Sequence, residues 1–234
     1  TLYDLRSRTA TVPTLDHIAP SIMSKKLAEA AETLVLDVKV GSGAFMRERA
    51  DAQALADVMV AIGRAAGRKV AATLSDMGRP LGRAAGNAVE VEESMACLRG
   101  EGPTDLRNLV VLLAVLAARE SGRCGELGLP DDPTALTAVF EAHLDDGSAL
   151  AIFERMVAAQ GGSVAALRDP RLLRGASDVT TELALAPATG RVVALDALEV
   201  GLAVVALGGG RGPDGQAPHP GVGVILDVAV GDGV

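Results

Sequence analysis

Two short runs of β-branched and aliphatic residues, Thr33–Val40 and Lys69–Leu74, stand one helix length apart. Gly41 and Gly43 end the first run, and between the two lies a helical segment, Ala50–Ala66, closed by Gly67. A strand, a helix and a second strand make a βαβ unit. A crossover of that length returns the chain to the end where it started, so the two strands run parallel. Mostly apolar, β-branched strands of this kind suit burial in a sheet. The expected fold class is therefore α/β, with a parallel sheet.

The flanking sequence adds helices on both sides. Thr14–Ala31 reads as an amphipathic helix, with Leu15, Ile18, Ile22 and Leu27 at helical spacing and Thr14, after Pro13, as N-cap. Ser75–Gly86 is rich in Gly and Pro and is expected to be a loop at a strand's carboxyl end, where open α/β sheets bind ligands. Four helices follow: Ala88–Leu98, Thr104–Glu120, Asp132–His143 and Ser148–Gln160, with Pro103, Pro130 and Pro133 near their starts. The texture changes after about Asp169. Strand-like pieces are expected at Asp178–Leu185 and Gly190–Ala194, then a helix over Leu198–Leu207 leading into Gly208-Gly-Gly-Arg211. The tail, Pro213–Val234, is Gly-rich with alternating Val and Ile, the pattern of a small β-rich lobe that stops partway through a turn.

Composition narrows the functional classes. A net charge of −8 disfavours a general nucleic-acid binder, because phosphate backbones reward basic faces. Aromatic residues make up only 2% of the chain, too few for stacking platforms along single strands. No apolar run reaches the roughly 20 residues of a membrane span. Cys97 and Cys124 have neither metal spacing nor a disulfide-rich context, which fits free thiols in a reducing cytoplasm. His17, His143 and His219 are scattered and form no zinc spacing.

Three local patterns could carry chemistry. Ser21 and Lys25, four apart on one helix, share a face beside the apolar stripe. Gly41-Ser-Gly43 could cradle an anion on successive amides, or simply end a strand in a tight turn. It lacks the Gly-Lys-Ser/Thr ending of a Walker A loop and the third Gly of a dinucleotide fingerprint. Glu90, Glu92 and Glu93 suit the acidic first turn of a helix.

Read in order, Tyr3-Asp-Leu-Arg-Ser-Arg-Thr-Ala-Thr-Val12, Ser21-Ile-Met-Ser-Lys-Lys26, Leu36-Asp-Val-Lys-Val-Gly-Ser-Gly-Ala-Phe-Met46 and Leu81–Glu93 resemble the pyrimidine nucleoside phosphorylase family. The resemblance implies an N-terminal remnant of a helical domain carrying the base-binding helix (residues 1–31), a central α/β domain (32–174) and a small, incomplete α+β C-terminal lobe (175–234). It implies that Arg6 and Lys25 are catalytic and bind the base with Ser21, and that Val12, Ile18, Ile22 and Phe45 wall its pocket. It implies a potassium ion held by the carbonyls of Leu81 and Ala84 and the carboxylate of Glu93, which suits a hard cation. No organic cofactor is implied. The implied substrates are a pyrimidine nucleoside and phosphate, and the implied assembly is a homodimer. The family's Gly-rich phosphate loop, which precedes these motifs, has no counterpart in these residues, so the chain is expected to be truncated at its start, and the tail that stops partway through a turn implies truncation at its end.

A pyrimidine base explains why cations would be wanted. It collects negative charge as its glycosidic bond breaks, and fixed donors at its carbonyls stabilise that charge. Two other readings stay open: a non-catalytic fragment retaining a base pocket, and a related phosphoribosyltransferase. The latter needs an acidic magnesium motif, and none stands near Gly41.

Overall fold

A computed structural model describes residue 9 and residues 14–175, 181, 189–210 and 217–233. These divide into two compact units. One holds the described residues up to Met77 together with Leu112–Thr137; the other holds Gly78–Val111 with the described residues from Ala138 onward.

The first unit is built on the βαβ motif. Helix α1 covers Leu15–Ala28, strand β1 Thr33–Val40, helix α2 Arg49–Ala65 and strand β2 Lys69–Asp76. β1 and β2 pair in parallel, in register from Thr33 opposite Lys69 to Val40 opposite Asp76. Alternation along β1 sends Leu34, Leu36 and Val38 to one face, where all three are buried. Ile18, Ala19 and Met23 of α1 and Ala52, Leu55, Ala56 and Met59 of α2 pack into the same core, joined by Val70 of β2. Each large side chain fully buried there contributes about 1.5–3 kcal/mol. Pro20 sits inside α1 on its exposed side. The carbonyl of Thr14 accepts from the amides of His17 and Ile18, so Thr14 is the N-cap its position announced.

In the second unit, a two-residue strand β3 (Ala84–Ala85) leads into helix α3 (Asn87–Cys97). Helices α4 (Thr104–Ser121), which passes into the first unit at Leu112, α5 (Pro133–Asp145), which leaves it after Thr137, and α6 (Ser148–Ala159) follow, then two short helices, α7 (Val164–Arg168) and α8 (Pro170–Arg174). Ser163 and Asp169 cap these last two through their side chains. Arg107 of α4 grips α5 by a bidentate pair with Asp145 (2.7 and 2.8 Å) and by the Glu141 carbonyl. Arg174 of α8 makes a bidentate pair with Glu92 of α3. Helix α9 (Ala197–Val204) runs into a π-helical turn, Val205–Gly209, and strand β4 (Val224–Ile225) pairs antiparallel with β3.

The structure differs from the sequence reading in several places. β2 continues two residues past Leu74, and the expected loop over Ser75–Gly86 contains β3, because both segments find backbone partners. The helix expected over Leu198–Leu207 changes to a π turn at Val205, where Gly208 takes a positive φ. The described residues after 175 form one helix with its π turn, one two-residue strand and a bridge between Arg191 and Gly233. Gly and Pro in the tail interrupt the ladders that alternating Val and Ile suggested. The strand expected at Asp178–Leu185 lies, apart from Thr181, outside the described residues.

Close approach of α2 to β2 depends on Gly63. A Cβ there would lie 2.4 Å from Cγ2 of Val70 and 3.2 Å from Cε of Met23. Ala ordinarily stabilises a helix interior by about 1 kcal/mol over Gly. Here overpacking a rigid, fully buried Val outweighs that, at about 1–3 kcal/mol. Gly63→Ala is expected to lower the urea midpoint; an unchanged or higher midpoint would show that β2 shifts to accommodate the methyl.

Candidate active site

The face implied by Ser21 and Lys25 exists. Four residues of α-helix turn about 400°, so the two side chains sit about 40° apart around α1. Ser21 is half-buried and Lys25, in the last turn, is exposed. Lys26, beside it, is committed to Glu29 at 3.3 Å. Ile18 and Ile22 border the same face. Ile18 is 5% exposed and Ile22 packs partly buried against the core, so both hold α1 to β1 and α2. Phe45 stands on the turn after β1 with 63% of its surface exposed. Arg6 and Val12 lie outside the described residues.

At the carboxyl ends of β1 and β2 the chain is tied closely. The amide of Gly41 donates to the Met46 carbonyl (3.1 Å), that of Gly43 to Met77 (3.0 Å) and that of Ala44 to Gly41 (3.1 Å). Met77 donates back to Val40 at 2.6 Å. These amides therefore close a turn and hold it to β2. Of the two readings of Gly41-Ser-Gly43, the strand-ending turn is the one the geometry supports, because an anion would have to displace these backbone bonds.

Beneath this turn lies a polar cluster that sequence reasoning missed. The Lys39 ammonium meets the Asp37 carboxylate at 2.6 Å and donates to Ser75 Oγ at 2.9 Å, and Ser75 donates to Asp37. Asp37 and Lys39 are two apart on β1, so they share the face opposite Leu36 and Val38, and Ser75 is the register partner of Lys39. Their side chains are 19% and 29% exposed, which places a charge pair at a strand end in partial contact with solvent. Two opposite charges at i and i+2 in an otherwise apolar strand are the signal that could have found it.

The Leu81–Ala84 turn belongs to the second unit. Glu93 of α3 accepts from the amides of Arg83 (2.7 Å) and Ala84 (3.1 Å) through one oxygen. An extended residue projects its N–H and C=O to the same side, so the Ala84 carbonyl faces Glu93 as well. Gly82 has φ +72°, and a Cβ there would lie 2.2 Å from Glu93 Oε2, so only Gly admits the carboxylate this close. Burial raises the Glu93 pKa above the ordinary carboxylate value; the two amides lower it, and Asp105 and Glu90 push it further up. A cleft of about 760 Å³ opens beside the turn, lined by Arg79, Arg83, Glu92, Glu93, Asp105 and Leu195 among others. Carbonyl and carboxylate oxygens are the donor class that a hard cation takes. Among the described residues no group of three or more His, Cys, Asp and Glu side chains is placed to hold a metal ion, and no helix is long and apolar enough to cross a membrane. His143 Nδ1 lies 2.8 Å from Ser148 Oγ, with Asp146 on the same ring nitrogen at 4.0 Å. A catalytic triad needs the acid on the opposite nitrogen, so this is a helix-junction contact. Both cysteines are free and buried.

Two outcomes follow from this geometry. Removing Asp37 strands Lys39, so Asp37→Ala and Lys39→Met should not be additive; a double-mutant cycle is expected to show about 1 kcal/mol of coupling, and additivity would dismiss the cluster as incidental. For Glu93 the folded pKa is raised, so the native state binds more protons than the unfolded chain as pH rises from near 4.5 through the raised value, and stability falls across that window. In potassium-free buffer at neutral pH, Glu93→Gln should therefore melt higher than the parent. A lower melting temperature would contradict the assignment of an uncompensated charge.

Comparison with known proteins adds the lineage. The chain is 43% identical over 236 residues to a pyrimidine-nucleoside phosphorylase of Geobacillus stearothermophilus, an alignment covering 100% of this chain and 52% of the relative. It is 44% identical over 233 residues to a thymidine phosphorylase of Mycobacterium tuberculosis, covering 100% of this chain and 50% of the relative. It is 43% identical over 241 residues to the thymidine phosphorylase of Homo sapiens, covering 98% and 48%. The chain thus spans about half the length of these curated relatives. Residues 10–150, more than half of the chain, match the family model described as glycosyl transferase family, a/b domain, and the chain belongs to that family.

Proposed function

We propose that this chain, within a protein of its relatives' full length, serves the reversible phosphorolysis of pyrimidine nucleosides. Nucleoside and phosphate give the free base and (deoxy)ribose 1-phosphate, a pentosyl transfer. The observation that carries this reading is identity of 43–44% along nearly the whole chain to proteins named pyrimidine-nucleoside phosphorylase and thymidine phosphorylase. The shared face of Ser21 and Lys25 supports it.

In this reading phosphate attacks the anomeric carbon as the base departs. Arg6 and Lys25 donate to the base carbonyls and stabilise the charge the base acquires; Ser21 meets the ring edge. Val12, Ile18, Ile22 and Phe45 form the apolar wall, with Ile18 and Ile22 also fixing α1 to its unit. Phosphate is held by residues other than the Gly41–Gly43 turn, whose two glycine amides already donate to backbone carbonyls. Catalysis comes from positioning and charge stabilisation, with no covalent enzyme intermediate. A potassium ion held by Leu81, Ala84 and Glu93 would supply fixed positive charge to the loop it organises. The proposal extends to residues 1–31 as part of a helical domain, 32–174 as the α/β domain and 175–234 as part of a C-terminal lobe, and to a cytoplasmic homodimer.

The test is phosphate-dependent release of thymine or uracil by the full-length protein. Arg6→Ala and Lys25→Ala should each lower kcat/KM by at least about tenfold, which corresponds to about 1.4 kcal/mol of transition-state stabilisation. Unchanged kinetics in both variants would sink the assignment.

A further inference from the structure

Two carboxylates from different helices hold the Leu81–Ala84 turn. Glu93 of α3 takes the amides of Arg83 and Ala84. Asp105, in the first turn of α4, takes the amide of Gly82 at 3.2 Å through one oxygen and that of Leu106 at 2.9 Å through the other. Three successive amides of the turn are thus bound by two acids. A trans peptide is planar, so the C=O of residue 81 runs antiparallel to the N–H of residue 82. By accepting the Gly82 N–H, Asp105 turns the Leu81 carbonyl away from itself. The Arg83 carbonyl is directed in the same manner: it accepts from Leu226 at 2.7 Å, opposite the Ala84 amide that faces Glu93. Gly82, Ala84, Glu93 and Asp105 all line the one cleft of about 760 Å³.

We propose that Asp105 is a positioning residue for a monovalent cation at this turn: it aims the Leu81 carbonyl, while Glu93 supplies the charge. This rests on the cation reading given above and adds a residue outside the ligand set. An acid in the first turn of a helix also interacts with the helix dipole. That role is indifferent to which cation the buffer contains, so cation selectivity separates the two.

The experiment is thermal melting of the full-length protein as KCl replaces choline chloride at constant ionic strength. The parent should gain stability with KCl, and the gain should saturate. Asp105→Ala should raise the half-saturating KCl at least about tenfold, the scale on which outer groups orient metal ligands. If Asp105→Ala does not melt cooperatively, Asp105→Glu takes its place: it keeps the charge, moves the oxygen, and should also weaken the KCl response. An Ala or Glu variant that titrates like the parent overturns the proposal. A parent with no KCl-specific gain overturns both this inference and the cation reading, whereas the Lys25→Ala assay judges the phosphorylase reading separately.

Discussion

Parallel pairing of Thr33–Val40 with Lys69–Asp76 is the constraint from which the first unit follows. Once the register is set, alternation decides everything on either side of the sheet. Leu34, Leu36 and Val38 must face the helices, and Asp37 and Lys39 must face away. A slip of one residue would bury the charge pair in the apolar core and expose the leucines. The same pairing brings the two carboxyl ends together, where the Gly41–Met46 turn is bonded to Met77.

That arrangement makes α1 a rigid platform. Ile18, Ala19 and Met23 are nearly inaccessible, so the helix cannot roll without exposing them. Ser21 and Lys25 inherit this rigidity, since they stand on the flank of the buried stripe. A site intended to meet a developing charge benefits from donors whose backbone does not reorganise during the reaction. The Leu81–Ala84 turn is fixed in another way. Its amides are taken by side-chain carboxylates, and Gly82 lets Glu93 lie directly over the backbone.

Much of this was readable from residue patterns. β1 begins and ends where the β-branched run does, and α2 and α3 shift by only a residue from their expected bounds, because apolar periodicity and Gly stops act locally. The parallel relation of β1 and β2 also followed, from crossover length alone. The tail was less legible. Alternating Val and Ile there predicted strands, but a strand needs a partner, and β4 finds one only over two residues. The Asp37–Lys39–Ser75 cluster escaped notice because Ser75 is 36 residues from Lys39 and becomes its neighbour only through the register. Asp105 escaped for a similar reason: on paper it is an ordinary first-turn acid, 23 residues from the amide it holds.

By itself, the sequence determined the α/β class, the order of the helices, the shared face of Ser21 and Lys25 and the lineage, since all of these are written in short-range periodicity and in long ordered motifs. Tertiary structure alone decided which groups are spent and which are presented. The glycine amides after β1 could by sequence cradle an anion or end a strand, and in space they are consumed by backbone carbonyls. The acids around Gly82 look like a solvated helix start and instead hold a turn from two sides. The physical reason is the same in both cases. Hydrogen-bond satisfaction depends on which polar groups meet, and those meetings are set by packing between segments far apart in the chain.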